Sequence, residues 1–406
     1  MLRRFLSAPL ALFLLTLGAL LSFARPASAY PWMIRHEYTT CGLCHTDPSG
    51  GGLLTAYGRA QSAVLLSTQF GEPDENPGKF KDFLFGVIPE NEHLLMQGWV
   101  RGGYIANRTG GGVFGKDAAD ERYLQMRADL GAQVKFSRFR ASAMVGYASG
   151  EASAAFYSQQ AWVNGGDGGH VVAREYWAGF DNEDETITVR AGRMNLPFGI
   201  RNVEHTLFAR SLTRTDTNQN QQHGVAVSYV SESNRAELMA IAGNFQLGPD
   251  TYRERGYAGF FEHTFEGKYA AGVSSKLTYA GTDALRLTPD TLLQAHGVFG
   301  RLTPVKKLVV LVEADALIQG SKDVKTQLGG VGYIQADVEP IQGVHVLGTF
   351  EAANQGADEE KTRYRAWASA WWFVLPHLDI RGDIIRGMQS GADASMTYLA
   401  QLHLYL

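Results

Sequence analysis

From His93 to Leu406 apolar and polar side chains alternate with a period of two, the spacing of strands whose two faces meet different surroundings. Over 375–388, Leu378, Ile380, Gly382 and Ile384 fall on one face and Asp379, Arg381 and Asp383 on the other. Over 305–318, Leu308, Val310, Val312, Ala314 and Ala316 are set against Val309, Leu311, Glu313 and Asp315. The chain ends the same way, with Tyr398, Ala400, Leu402, Leu404 and Leu406 opposite Leu399, Gln401, His403 and Tyr405. About 16 such segments succeed one another, from 93–106 to 395–406. Their connections alternate in length. Short ones are expected at Ser137, 182–184, 232–234, 266–267, 302–304, 339–341 and Leu375, and longer ones at 107–119, 150–170, 195–221, 246–251 and 282–289. Short turns on one side and long loops on the other, with an even strand number, are the signature of an outer-membrane barrel, lipid outside and water inside. The competing reading is a soluble all-β domain, since soluble sheets also alternate.

The first 92 residues break this period. Arg3 and Arg4, an apolar stretch from Leu10 to Leu21, and Ala27-Ser28-Ala29 ahead of Tyr30 make residues 1–29 an export signal. An uncleaved anchor is the alternative, but a membrane-spanning helix needs about 20 apolar residues. No later run reaches about 18, so the mature chain is expected to cross a membrane only as a closed barrel. Residues 30–92 read as a small α-helical cap, with a helix from Leu53 to about Ser67, a polar 71–78 loop and an aromatic cluster at Phe80, Phe83, Leu84 and Phe85. A unit of this size is marginal alone and needs a cofactor or a larger partner. The expected division is signal peptide 1–29, cap 30–92 and porin-like barrel 93–406.

Composition narrows the chemistry. The 406 residues hold only two cysteines, 46 glycines, 11% aromatic and 19% charged residues, with a formal net charge of −4. This is no disulfide scaffold, and without a basic stripe nucleic acid is not an expected partner. Both cysteines fall in Cys41-Gly42-Leu43-Cys44-His45, the C-x-x-C-H haem attachment signature. Two thiols one helical turn apart can each form a thioether to one porphyrin edge, which leaves the next residue, His45, to face the iron as proximal ligand. A redox C-x-x-C would want a βαβ context, and a structural zinc site would want four ligands. The expected cofactor is one covalent haem c.

For the opposite axial position, residues 46–92 contain neither Met nor His. His36 is the first candidate and Met33 the second, with His93 and Met96 at the junction and Met194, His205 and His223 further on; an open or water-filled position is the other option. Arg35 or Arg59 can pair with propionates, and Tyr57 can pack on the porphyrin, each set against an ordinary solvated or core role. Gln97, Arg101, Arg127, Asp129, Glu175, Arg190, Glu313, Asp315, Arg363, Arg365, Asp379, Arg381 and Asp383 are expected on the lumen face as a hydrated, self-paired wall; a metal or substrate path along the carboxylates is the sharper alternative. The loop from Gly192 to Gly199 resembles the G-R-x-x-x-P-F-G stretch of several porin families and is a candidate constriction.

From the haem motif into Leu54-Thr55-Ala56-Tyr57-Gly58-Arg59-Ala60, the chain resembles the fused outer-membrane monohaem porin-cytochromes of iron-oxidising bacteria. The local match is confined to Cys41, Cys44, His45 and Gly58-Arg59. Asp47-Pro48-Ser49 and the glycine triplet Gly50-Gly51-Gly52 depart from the family pattern. The resemblance implies electron transfer at or across the outer membrane, with the cap at the periplasmic side or inside the lumen. It implies a periplasmic electron carrier, an extracellular donor or acceptor, and Fe(II) oxidation as one member activity. The alternatives are a solute porin with an accessory haem-binding cap and a soluble periplasmic cytochrome with an all-β partner domain.

Overall fold

The structure is a computed structural model that describes residues 31–68, 83–88, 91, 93–109, 120–149, 161–162, 169–202, 204, 206–322, 324–356 and 362–406. The expected export signal, the 71–78 loop and Phe80 lie outside these residues. Sixteen long strands, from Leu94–Thr109 to Ser395–Tyr405, and a two-residue piece at Ala161–Trp162 form one antiparallel sheet. It closes on itself where Leu94–Thr109 pairs both with Asp120–Phe136 and with Ser395–Tyr405. Closure leaves no sheet edge, which a lipid-exposed sheet requires. Among the described residues no helix is long and apolar enough to cross a membrane.

The burial pattern runs inside out. On the strand Leu378–Gln389, Asp379, Arg381 and Asp383 are 2–3% exposed, while Ile380 is 45% and Ile384 49% exposed. Val100, Leu130, Val298, Val346 and Leu402 are likewise exposed on the outer face. A water-soluble sheet would reverse this arrangement, and contiguous apolar surface of this extent is suited to lipid.

The turn expected at Ser137 is found at 137–138, that expected at Leu375 lies just beyond it at 376–377, and those expected at 302–304 and 339–341 are shorter and displaced, at 306–307 and 342–343. The displacement at 302–304 and 339–341 has a local cause. Pro304 and Pro340 read as breakers in the sequence, but each falls in a register shift near the end of a strand, between Leu302 and Val305 and between Val338 and Ile341. A bulge tolerates a residue with no N–H, so each strand continues past its proline.

The lumen is filled from two directions. Residues 31–68 enter at the short-turn rim. A 3₁₀ turn, Pro31–His36, places Trp32, Met33 and Ile34 against Val309, Leu311, Leu347, Trp371 and Phe373 of the wall. This explains why Val309 and Leu311 occupy the lumen phase of a strand whose next two lumen positions are Glu313 and Asp315. Arg35 is ion-paired with Asp337 at 2.6 Å and Glu339 at 3.0 Å. At the other end of the segment, Gln342 donates to the carbonyls of Val64 (2.7 Å) and Ser67 (3.0 Å).

From the long-loop side, residues 195–221 cross to the opposite wall. The Ile200 amide donates to Glu313 at 3.0 Å, the Phe208 amide to Glu351 at 2.6 Å, and Arg381 to Glu204 at 2.5 Å. Gly199 makes the crossing possible: its φ is +57°, and a Cβ there would strike Glu313 and Arg210.

Candidate functional site

The two cysteines lie in the segment that enters the barrel. The His45 amide donates to the Cys41 carbonyl at 2.9 Å, closing one helical turn across the motif. Thr46 N donates to Leu53 O at 2.8 Å, which folds the chain back on itself. The helix Ala56–Leu65 then docks on this turn. Thr55 caps it by accepting from Gly58 N at 3.0 Å, and the same hydroxyl donates to the Leu43 carbonyl at 2.7 Å. Gly58 is needed for close approach, because a Cβ there would collide with the Cys44 backbone. The helix is shorter than the expected 53–67 because 53 and 54 are used in the return pairing with 45 and 46.

Charged contacts fix the motif to the wall. Asp47 accepts from Ser49 N (3.0 Å) and Ser49 Oγ (2.9 Å) and pairs with Arg190 at 3.0 Å; Arg190 also holds Glu237 at 2.6 Å. Burial alone would lift the Asp47 carboxyl, but Arg190, Arg201 and Ser49 hold it below the ordinary carboxylate value. Cys41 Sγ lies 3.0 Å from Arg235, which is bound to Glu262 at 2.7 Å. Both thiols are buried and not disulfide-bonded. Burial drives the His45 pKa down to about 4, with Arg201 adding to that and Asp47 and the Gly51 backbone opposing it, so the imidazole is neutral at neutral pH.

His45 lines a cavity of about 180 Å³ between the N-terminal segment, the crossing loop and the wall. Its walls include Gly50, Gly51 and Gly52, the aromatic Trp99, the cations Arg101, Arg127 and Arg201, and Met126, Glu175 and His403. Gly50 to Gly52 all have positive φ, and a Cβ at Gly51 would meet nothing nearer than Asn195 at 3.9 Å, so the triplet keeps this wall open. A Cβ at Gly50 would stand 3.0 Å from Cys41 Sγ, so the thiol lies directly against a cavity-lining residue. Three polar atoms of cavity-lining residues, Arg101 Nε, Asn195 Oδ1 and His403 Nε2, are buried with no hydrogen-bond partner among the described residues. Trp99 carries the Arg127 guanidinium 4.6 Å above its ring. Two unbridged thiols on one turn, a neutral imidazole, three guanidinium groups and three orphaned polar atoms are a donor set that fits a covalently joined porphyrin with acidic substituents. Among the described residues no three His, Cys, Asp or Glu side chains converge as a metal cluster.

The other residues singled out in the sequence are elsewhere. Met33 is in the apolar cluster with Trp32 and Ile34, and His36 is 4.0 Å from Glu339 at the short-turn rim. Neither lines the cavity with His45. Arg59 is buried and donates to the Met96 carbonyl, Arg35 is taken by its two carboxylates, and Tyr57 is 42% exposed, its hydroxyl 3.2 Å from that of Tyr38. His93 stacks on Phe136, and Met194 is packed with Trp177 and Leu196. His223 is bonded to the Tyr176 hydroxyl at 2.7 Å, and His205 lies outside the described residues. Of the expected lumen residues, Gln97, Asp129, Glu175, Arg190, Glu313, Asp315, Asp379, Arg381 and Asp383 are buried. Many are paired as expected: Asp129 with Arg174 at 3.2 Å and Arg381 with Asp383 at 2.8 Å. Arg365 is paired with Glu351 at 2.6 Å, and Arg363 lies over Phe208. Sequence reading had His403 on the correct strand phase but did not connect it with His45, because nothing local links positions so far apart.

No family model matches the chain, and no curated protein does. Similar solved structures include an anion-selective porin from Comamonas acidovorans, with a TM-score of 0.58 and 10% identity over 77% of this chain and 99% of that one. OmpT of Vibrio cholerae gives a TM-score of 0.56 and 12% identity over 78% of this chain and 99% of that one. OprB of Pseudomonas putida gives 0.55 and 11% over 77% and 94%. The chain therefore has the fold of an outer-membrane porin-type barrel, a closed antiparallel barrel of sixteen strands.

Proposed function

We propose that this chain is an outer-membrane protein that carries electrons at or across the membrane through one covalent c-type haem held in the lumen. The observation that carries the reading is the C-x-x-C-H turn inside the barrel, with His45 lining a cavity that three guanidinium groups also line. In this reading Cys41 and Cys44 would anchor the porphyrin and His45 would hold its iron. Arg101, Arg127 and Arg201 offset the charge of the propionates, and Trp99 covers part of the cavity from water. Bound there, the haem supplies reversible one-electron chemistry at iron, tuned by its axial ligands and burial. In this reading the site would lie part-way along an apolar band that is about 25 Å tall in such barrels. A periplasmic carrier would exchange electrons on one side and an extracellular donor or acceptor, Fe(II) among them, on the other.

A solute porin with an accessory haem draws on the porin-type fold. The two segments that cross the lumen weigh against it, because both occupy the space an open pore requires. Sealed proteoliposomes separate the readings. External Fe(II) or another reductant should reduce an enclosed dye, and His45→Ala should abolish that flux. Unchanged flux in the variant, or rapid passage of small sugars through the wild type, would refute the electron-carrier reading.

A further inference from the structure

We propose that His403, on the last strand, is the second axial ligand of the haem, and that Asp379 is its positioning residue. The inference rests on the covalent-haem reading above and adds the ligand opposite His45. His403 and His45 line the same cavity, although they come from opposite ends of the chain.

The His403 ring is already set as a metal ligand would be. Nδ1 is 2.9 Å from Asp379 Oδ2, and the other carboxylate oxygen accepts from Trp371 Nε1 at 2.8 Å. A carboxylate only accepts, so Nδ1 carries the proton and the lone pair is on Nε2. That nitrogen is buried, belongs to a cavity-lining residue and has no hydrogen-bond partner among the described residues. A buried acceptor without a partner is costly, which makes Nε2 a position suited to a ligand. A carboxylate behind a ligating imidazole fixes its tautomer and raises its basicity.

Met126 is the competing donor on the cavity wall. The Trp371–Asp379–His403 chain fixes His403, whereas Met is a flexible side chain. Met33 and His36, the candidates nearest the motif in sequence, are held away from the cavity by the apolar cluster and by the Glu339 side of the rim.

The test is the spin state of iron in the purified full-length protein, read by optical and electron paramagnetic resonance spectroscopy. Wild type is expected to be low-spin with a bis-imidazole signature and slow to bind carbon monoxide when reduced. His403→Gly should become high-spin, bind carbon monoxide readily and return to low-spin when imidazole is added. Met126→Leu should leave the spectrum unchanged. Asp379→Asn should stay low-spin with a raised reduction potential, a readout that a merely structural role would not move. A low-spin spectrum in His403→Gly before imidazole is added, a thioether–iron band in wild type, or conversion to high-spin in Met126→Leu would overturn the proposal. If His403→Gly fails to assemble, His403→Met is the second variant, and a bis-imidazole signature in it would also overturn the assignment. Absence of covalent haem from wild type on a denaturing gel would instead be a failure of the haem reading itself.

Discussion

Arg190 offers the sharpest test of how the N-terminal segment is held. It is fully buried between Asp47 of that segment, at 3.0 Å, and Glu237 of the wall, at 2.6 Å. Arg190→Met keeps most of the volume but leaves two carboxylates buried side by side. Ser49 and the more distant Arg201, 3.9 Å away, remain for Asp47, and Ser228, at 3.0 Å, remains for Glu237. Breaking a buried pair in this way costs roughly 3–5 kcal/mol. Asp47→Asn is milder, because Arg190 keeps Glu237 and the site loses one charge-assisted hydrogen bond, worth about 1.5–3 kcal/mol. If the segment opens as a unit, at 1.4 kcal/mol per factor of ten Arg190→Met should lower its amide protection by roughly 100-fold to 1,000-fold or more, and Asp47→Asn by the smaller factor of about ten to 100. The double variant should lose less than the sum, since the two residues share one interaction. Hydrogen exchange by mass spectrometry in detergent micelles, followed on peptides from 41–66 and on barrel strands, measures this directly. Equal losses in the two single variants, or a loss spread evenly over the barrel, would refute the reasoning.

Ile384 faces outward on its strand, so Ile384→Arg should cost about 2–4 kcal/mol if its height is near the membrane midplane, measured by denaturant unfolding in lipid vesicles. Gly199→Ala places a side chain at φ +57° against Glu313 and Arg210, which costs at least about 1–2 kcal/mol in backbone alone. The crossing loop should shift, seen as protease cleavage within 195–221 or as larger conductance in planar bilayers. The lowered Asp47 pKa sets a pH signature. A depressed carboxyl contributes stability above its unfolded value of about 4, and that contribution is lost as the pH falls below it. Protection of 41–66, corrected for intrinsic exchange, should therefore be flat between about pH 5 and 8 as far as this group is concerned, and fall only in stronger acid.

Most of the barrel was legible because each strand has one lipid face and one lumen face. Ile380 and Ile384 against Asp379, Arg381 and Asp383 need no partner to be read. Turn positions were less legible where Pro304 and Pro340 looked like strand ends, because a bulge that accommodates proline is a property of two paired strands and not of one. The Cys41–His45 motif was legible as chemistry because its spacing is local. Its surroundings were not. Asp47 meets Arg190, Arg35 meets Asp337 and Cys41 meets Arg235 through closure of the barrel around the segment, and no local pattern encodes those pairings. The same cause accounts for Arg59. A Gly-Arg pair beside a haem motif invites a propionate contact, but docking of the helix on the Cys44 turn sends this guanidinium to the Met96 carbonyl.

The central claim is tested most directly by the intact mass of the protein purified from the outer-membrane fraction of a host able to attach haem c. The account predicts the mature polypeptide plus one haem, lost when Cys41 and Cys44 are both replaced by Ser. A mass equal to the bare polypeptide, with both thiols still open to alkylation after unfolding, would contradict it.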